Sequence, residues 1–211
     1  MRDEPTARRA LRSDIDEMTR IVTSAFFDDP VWGPSFPDPS TRPEVASAYW
    51  RFMITEALRF SESRVLDEKR DDTEASPLRA VSVWYPPGAE EISPEAHPAY
   101  DALIHELLGT EAAAALNRAG AQFVAARPSE PHAYLTLLAV APEAQGGGYG
   151  MALLRSALAE YDAAGIPTYL ESSNPANDAR YERLGYGPRH IVRLATGASV
   201  QTYWRDATPP A

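Results

Sequence analysis

The chain contains no cysteine, which excludes disulfide frameworks, thiolate metal sites and cysteine nucleophiles together. Histidine is scarce. His97, His105, His132 and His190 stand apart, with no HxxxH or HxH spacing, so no metal site is expected. Long apolar runs are also missing. None approaches the ~20 residues that span a bilayer, and the opening stretch "MRDEPTARRALRSDIDEM" is charged, without the apolar segment of a secretory signal. Positive charge is in deficit, with 20 Lys and Arg against 30 Asp and Glu for a net charge of −10. Such a surface repels phosphate backbones and makes nucleic acid a poor partner. These absences lead to the expectation of a cytoplasmic protein with neither a membrane nor a nucleic-acid partner. Whether it is a monomer or a homodimer stays open.

What is present is an ordinary globular composition, 44% hydrophobic and 24% charged over 211 residues. A fold of this size buries roughly 70% of its unfolded surface, enough for a core without staples. A short strand is expected near Ala7 to Leu11. A helix should start at Ser13, because "SDID" is a start signal and Ile15, Met18, Val22, Ala25 and Phe26 share one helical face. "FFDDPVWGPSFPDPS" reads as a proline-broken loop carrying aromatics. "TRPE" opens a second helix as a capping box, with Thr41 as N-cap and Glu44 three residues on. Strands near Arg64 to Leu66 and Leu78 to Tyr85 form a hairpin around a charged connection. Ser93 to Ala126 reads as two or three helices, with Pro94 at the first helical position, Gly109 as a stop and Thr110 as a restart.

The second half is more regular. An apolar strand from His132 to Val140 meets "APEAQGGGYG", then a helix runs to Ala164 and stops at Gly165. "PTYLES" is a strand, "PANDARYERLG" a short helix, and "PRHIVRLA" with "SVQTYWR" a closing hairpin around "TGA". The order of elements suggests one mixed α/β domain.

Glycines at 146, 147, 148 and 150, set between a strand and a helix, pose the central question, since glycine weakens regular structure. A glycine-rich turn at a helix N-terminus offers unpaired N–H groups and the positive end of the helix dipole to a phosphate. A P-loop is excluded because Met151 and Ala152, not Lys-Ser/Thr, follow Gly150. A dinucleotide fingerprint fails as well: counting from Gly146 the sixth position is Met151, and counting from Gly148 it is Leu153.

What fits is Q-x-x-G-x-G: Gln145, Gly148 and Gly150 after an apolar strand. In "LAVAPEAQGGGYGMALL" and "ESSNPANDARYERLGY" the chain resembles the GNAT superfamily of acetyl-CoA-dependent N-acetyltransferases, closely over Tyr134 to Gly187 and loosely on to Trp204. The resemblance implies a mixed, mostly antiparallel sheet with splayed central strands and helices on both faces. It implies a single domain over residues 1–211, with an acceptor-side half (1–131, including inserted helices) and an acetyl-CoA-binding, closing half (132–205). Acetyl-CoA is the implied cosubstrate, with no metal.

The same resemblance assigns roles. Backbone groups of Leu138, Ala139 and Val140 would pair with pantetheine as with an added strand, and the Val140 amide would stabilise an oxyanion. Gln145, Gly146, Gly147, Gly148, Tyr149 and Gly150 would hold the pyrophosphate, with Asn174 and, more weakly, Asn177 beside the cofactor. Tyr181 would protonate the departing thiolate, and its alternative is a core aromatic. The family often carries Arg or Lys where this chain has Gly147. Since an alkylammonium near pKa 10 must lose a proton before attack, a base is needed. Glu171 is the best-placed carboxylate, Asp28 and Asp29 are weaker, and a water relay is the alternative. The "LES" context of Glu171 is similar to the puromycin-acetyltransferase type.

For the acceptor, Phe26, Phe27, Trp32 and Phe36 in the proline-rich loop, with Trp84 and Tyr85 at a strand end, are the aromatics that would line a pocket for a flat or apolar amine, with core packing as the alternative for each. The expected acceptor is the primary amine of a small molecule. A peptide or protein N-terminus is a second possibility, and a non-catalytic acyl-CoA sensor on the same fold a third.

Overall fold

The computed structural model describes residues 6–67, 77–195 and 197–208. The charged connection of the first hairpin and part of the "TGA" turn lie outside the described residues. β1 (Thr6–Arg9), β2 (Arg64–Asp67), β3 (Leu78–Tyr85), β4 (Ala133–Val140), β5 (Thr168–Ser172), β6 (Gly187–Arg193) and β7 (Ser199–Arg205) form a seven-stranded sheet in the order β1-β2-β3-β4-β5-β7-β6. Every neighbouring pair is antiparallel except β4 with β5.

That parallel pair positions the site. β4 and β5 are in register only at Ala133–Thr168, Tyr134–Tyr169 and Leu135–Leu170. Beyond Leu135 the strands part, and β4 continues to Val140 paired on one side only. The parting coincides with a bulge. Val83 faces Leu137 while Trp84 faces Leu135, so Thr136 is the extra residue on β4. A bulge bends its strand and increases local twist. It also shifts the inside-outside alternation by one residue, so that Tyr134, Leu137 and Ala139 all join the same core cluster.

α1 (Ile15–Ala25), α2 (Arg42–Ala57) and α3 (His97–Ala126) contribute to that cluster. On α1 the fully buried residues are Met18, Ile21 and Val22, one stripe of an amphipathic helix. α4 (Tyr149–Ala164) packs Leu154, Ala157, Leu158 and Tyr161 into a second cluster with Trp84, Leu135, Leu170 and Tyr203. The sheet therefore separates two cores, as a mixed α/β layer structure requires.

Several local expectations shift. A 3-10 turn over Arg12–Asp14 precedes α1, and Asp14, not Ser13, accepts the Leu11 N–H at 2.7 Å. Asp14 is fixed there because Arg8 donates to both its oxygens, at 2.7 and 2.9 Å. Thr41 is the N-cap of α2, but its side chain makes no capping bond, so the capping box does not form. Ser93 does not start a helix either. Its N–H and hydroxyl both donate to Glu56, and α3 begins at His97. α3 does break at Gly109, where the backbone (φ 72°, ψ 174°) leaves the helical region.

Candidate active site

A cavity of about 1090 Å³ opens where β4 and β5 part. Its walls come from both halves of the chain: Phe26, Trp32, Tyr49 and the Thr110–Ala126 stretch of α3 on one side, the glycine loop and Tyr181 on the other. Cavities of this size between secondary-structure elements are the usual ligand sites.

The glycine-loop side is made of backbone. The Ala141 N–H donates to the Arg79 carbonyl on β3 at 2.9 Å. Because bonding alternates along an antiparallel strand, Leu138 and Val140 turn their backbone groups toward the opening. Ala139, in register with Val81, turns its own toward β3. Of the three residues expected to present backbone, Ala139 therefore contributes only its surface to the cavity wall. After β4 a 3-10 turn, Pro142–Ala144, leads into the loop.

Gly148 is the N-cap of α4 at φ 79°, a conformation only glycine adopts without strain. It aims the first turn of α4, whose N–H groups have no intrahelical acceptor, into the cavity. Gly150 is required for contact, since a Cβ there would stand 2.9 Å from Val140 Cγ2. Gly147 differs from its neighbours. It does not line the cavity, and a Cβ on it would meet the Tyr149 ring at 2.5 Å. Its lack of a side chain serves packing under Tyr149, which does line the cavity together with Gln145, Gly146 and Gly148.

β5 leads into a turn where the Asn174 side chain caps Pro175–Asn177 by accepting the Ala176 N–H at 3.0 Å. Asn177 Oδ1 accepts from Arg180 at 2.7 Å. Both asparagines line the cavity, each with its oxygen already engaged. Tyr181, on α5 (Asp178–Glu182), packs its ring against Tyr186 and Tyr203 at centroid distances of 6.2 and 6.0 Å. It reaches the same cavity. Burial pushes its phenol up to about 12.

The opposite side is made of side chains. Glu171 stands on β5 where it leaves β4. Burial pushes its carboxyl up to about 7, against the opposing pull of the Arg127 guanidinium. Its Oε1 is buried without a hydrogen bond among the described residues, and the residue lines the cavity. Tyr134 and Tyr169 approach the carboxylate closely enough to favour its charged form, but neither reaches Oε1 at bonding distance. Arg127 is ion-paired to Glu91 and lies 3.9 Å over the Tyr134 ring. Glu91 also accepts from Thr136, the bulge residue, at 3.3 Å. Asp29 accepts the N–H groups of Val31 and Trp32 and the Ser173 hydroxyl, at 2.9, 3.1 and 2.6 Å. It ties the aromatic loop to the end of β5. Asp28 is exposed and outside the cavity wall.

The expected acceptor aromatics separate. Trp32 lines the cavity. Trp84 does not: it is fully buried on the other face of the sheet, its ring 5.0 Å from Tyr161, because β3 alternates its side chains between the two cores. Tyr85 is buried behind the wall, stacked on Tyr134 at 6.2 Å, with its hydroxyl donating to the Glu91 carbonyl. Phe27 lies beneath the Arg42 guanidinium at 5.1 Å, away from the cavity. Phe26, also expected, does line it, whereas Phe36 is buried outside the wall. In place of the others Tyr49, Tyr100 and Phe123 line it. Glu91, Arg127 and Tyr134 were also not foreseen. The one signal for them was Thr136, a lone polar residue inside the apolar run "AYLTLLAV", which marks the bulge.

Among the described residues no cluster of His, Cys, Asp or Glu could hold a metal. No helix among them is long and apolar enough to cross a membrane.

The profile of the Acetyltransferase (GNAT) family matches residues 65–186, more than half of the chain, from β2 to just past α5. The chain belongs to the GNAT acetyltransferase family. Members of the GNAT family are acyltransferases, and the splayed strands, glycine loop and mostly antiparallel sheet are the GNAT architecture. The crystal structure of histone acetyltransferase HPA2 and related acetyltransferase from Corynebacterium glutamicum shares this GNAT fold. It has a TM-score of 0.70 at 22% identity and covers 100% of this chain and 99% of that one. An agmatine N-acetyltransferase structure follows at TM-score 0.62 and 15% identity, covering 97% and 100%. A mycothiol acetyltransferase of Streptomyces avermitilis is 45% identical over 53 residues, which are 24% of this chain and 17% of that protein.

The residues present suit the coenzyme A that GNAT enzymes use. One strand edge is open, the first turn of α4 offers its N–H groups, and a Cβ at Gly150 would crowd the wall.

Proposed function

We propose that the chain is an acetyl-CoA-dependent N-acetyltransferase acting on the primary amine of a small molecule, by direct attack of the amine on the thioester. It would work in the cytoplasm as a single domain, with residues 1–131 holding the acceptor and 132–205 holding acetyl-CoA. The observation that carries this reading is Glu171, a carboxylate raised to about 7 and standing where the two central strands part. A base should have a pKa near the working pH, and a buried, perturbed carboxylate in a cleft is a functional candidate on physical grounds.

Acetyl-CoA supplies the acyl group as a thioester. Glu171 takes the proton from the acceptor ammonium and leaves a neutral amine with a free lone pair. The Val140 N–H, turned toward the opening, is placed to donate to the developing oxyanion, as preorganised backbone donors do. Tyr181 keeps its proton throughout the neutral range, donates it as the sulfur departs, and is restored by the second proton that the attacking nitrogen loses as the amide forms. Leu138 and Val140 orient the pantetheine arm through their free backbone groups. Gln145 to Gly150, with the first turn of α4, hold the pyrophosphate.

The test follows free thiol release from acetyl-CoA with a panel of small amines and peptides with free N-termini. Turnover on small amines that falls at least roughly tenfold in Tyr181→Phe, with coenzyme A affinity retained, supports the reading. Binding of acetyl-CoA without turnover on any amine would instead identify an acyl-CoA sensor. Turnover on peptides alone would move the acceptor to a polypeptide N-terminus.

A further inference from the structure

The acceptor side of the cavity narrows the amine further, on the premise that the reaction proposed above is correct. Besides Tyr134 next to Glu171, five aromatic side chains line it: Phe26, Trp32, Tyr49, Tyr100 and Phe123. They brace one another into a fixed wall. Trp32 is stacked against Phe123 with centroids 6.1 Å apart and planes at 18°, and Trp50 meets it edge-on at 4.8 Å. Tyr49 lies 6.2 Å from Trp32 and 6.4 Å from Tyr100. The loop carrying Trp32 is pinned to Ser173, two residues beyond Glu171, by the Asp29 carboxylate. The aromatic wall and the proposed base are thus held to each other through one short chain of bonds.

The charges are as informative as the rings. Of the carboxylates around the cavity, Asp29 uses both oxygens, on Val31, Trp32 and Ser173. Glu91 uses both of its own, on Arg127 and Thr136. Glu90 and Asp101 are exposed at the rim, where water screens them and an ion pair contributes little. That leaves Glu171 as the one inner carboxylate with a buried oxygen, Oε1, that no described residue bonds. Arg127, the cation on this side, is already close to Glu171. One ammonium has a partner here. A second, deeper in the cavity, would be stripped of water beside apolar rings with no carboxylate left to receive it.

We infer that the acceptor is a primary monoamine carried on a flat, apolar body, with the amine at Glu171 and the body against the Trp32–Phe123 wall. Agmatine N-acetyltransferase shares the fold, but at 15% identity the fold leaves the acceptor undecided.

Purified protein and saturating acetyl-CoA, with phenethylamine, butylamine and putrescine as acceptors, test this through kcat/KM. The expected order is phenethylamine first, ahead of butylamine by roughly 10- to 100-fold, with putrescine last. In Trp32→Leu, with Phe123→Leu as a second variant should the first not fold, the phenethylamine-to-butylamine ratio falls at least roughly fivefold, mainly through KM. Putrescine equal to or better than phenethylamine overturns this inference and leaves the acetyltransferase reading standing. Acetyl-CoA binding with no amine acetylated overturns both.

Discussion

The two sides of the cavity are built from different material. The donor side is backbone: a strand edge left unpaired by β5, a helix N-terminus, and glycines that keep side chains out of the way. The acceptor side consists of side chains, with aromatic rings from the loop between α1 and α2, from α2 and from α3 facing the Glu171 carboxylate. A backbone site recognises what every member of a family shares, because any sequence can present an N–H. A side-chain site recognises what one member does. On the proposed reading one cavity holds a common donor and a particular acceptor, and each side can be changed without redesigning the other.

Substitutions should separate the two. Glu171→Gln is expected to lower kcat/KM by roughly 10²–10⁴-fold, the usual worth of a positioned base, while the affinity for coenzyme A measured by calorimetry stays within twofold of wild type, roughly 0.4 kcal/mol. The rate of the wild-type protein should rise with pH through about 7 as this carboxyl ionises, and the variant should lose that limb. The same residue makes a second, opposite prediction. Its folded pKa lies above its ordinary value of 4.5, so between about 4.5 and 7 the folded state binds more protons than the unfolded one. Its neutral form therefore favours folding, and that stability is lost as pH rises through this window, by on the order of 3 kcal/mol. Gln cannot ionise. The variant should melt higher than wild type at pH 8, and the two should converge near pH 4.5. An equal or lower melting temperature at pH 8 would show that Glu171 is not held in a desolvated site.

Gly150→Val tests the donor side. Its side chain would collide with Val140, and overpacking of this kind costs about 1–3 kcal/mol. The loop relieves it by moving off the strand, so the Kd for coenzyme A should rise roughly tenfold while the ranking of amines is unchanged. A changed ranking would mean that the two sides are not independent.

Arg127→Met removes the cation that holds Glu171 down. The acid limb of the rate profile should move upward from about 7, with activity at pH 7 falling severalfold and returning toward wild type by pH 9. A uniform loss at all pH values would make Arg127 a packing residue only. The smallest effect is expected at Gln145, whose side chain is exposed. Gln145→Ala should change coenzyme A affinity by less than roughly threefold, because backbone, not this side chain, does the holding.

The same division explains what the sequence made legible. Spacing alone located β4, the glycine loop, α4, β5 and α5, since glycine positions and apolar periodicity are local signals. The resemblance to the GNAT superfamily that those motifs carry, rather than spacing, marked Tyr181 and implied the mixed sheet with splayed central strands, while Glu171 stood out as the carboxylate on the strand after the glycine helix. The acceptor wall was legible at Trp32 but not at Phe123, because the two meet across 91 positions and nothing local announces the contact. Trp84 and Tyr85 looked alike as aromatics at a strand end, yet alternation sends one to each core. The bulge showed only as a lone polar residue, Thr136, in an apolar run, and its geometry did not. It depends on the register against β3, which a single strand does not encode.

Gly147 beneath the Tyr149 ring has one more consequence. A Cβ at position 147 would stand 2.5 Å from the Tyr149 ring, so a side chain there and the ring in its present place exclude each other. Positions 147 and 149 therefore form a single choice, and the order of change matters. A side chain arriving at 147 first must push the ring aside, whereas loss of the ring first opens the space for it. A library that varies position 147 alone would therefore score the ring's displacement together with the new side chain.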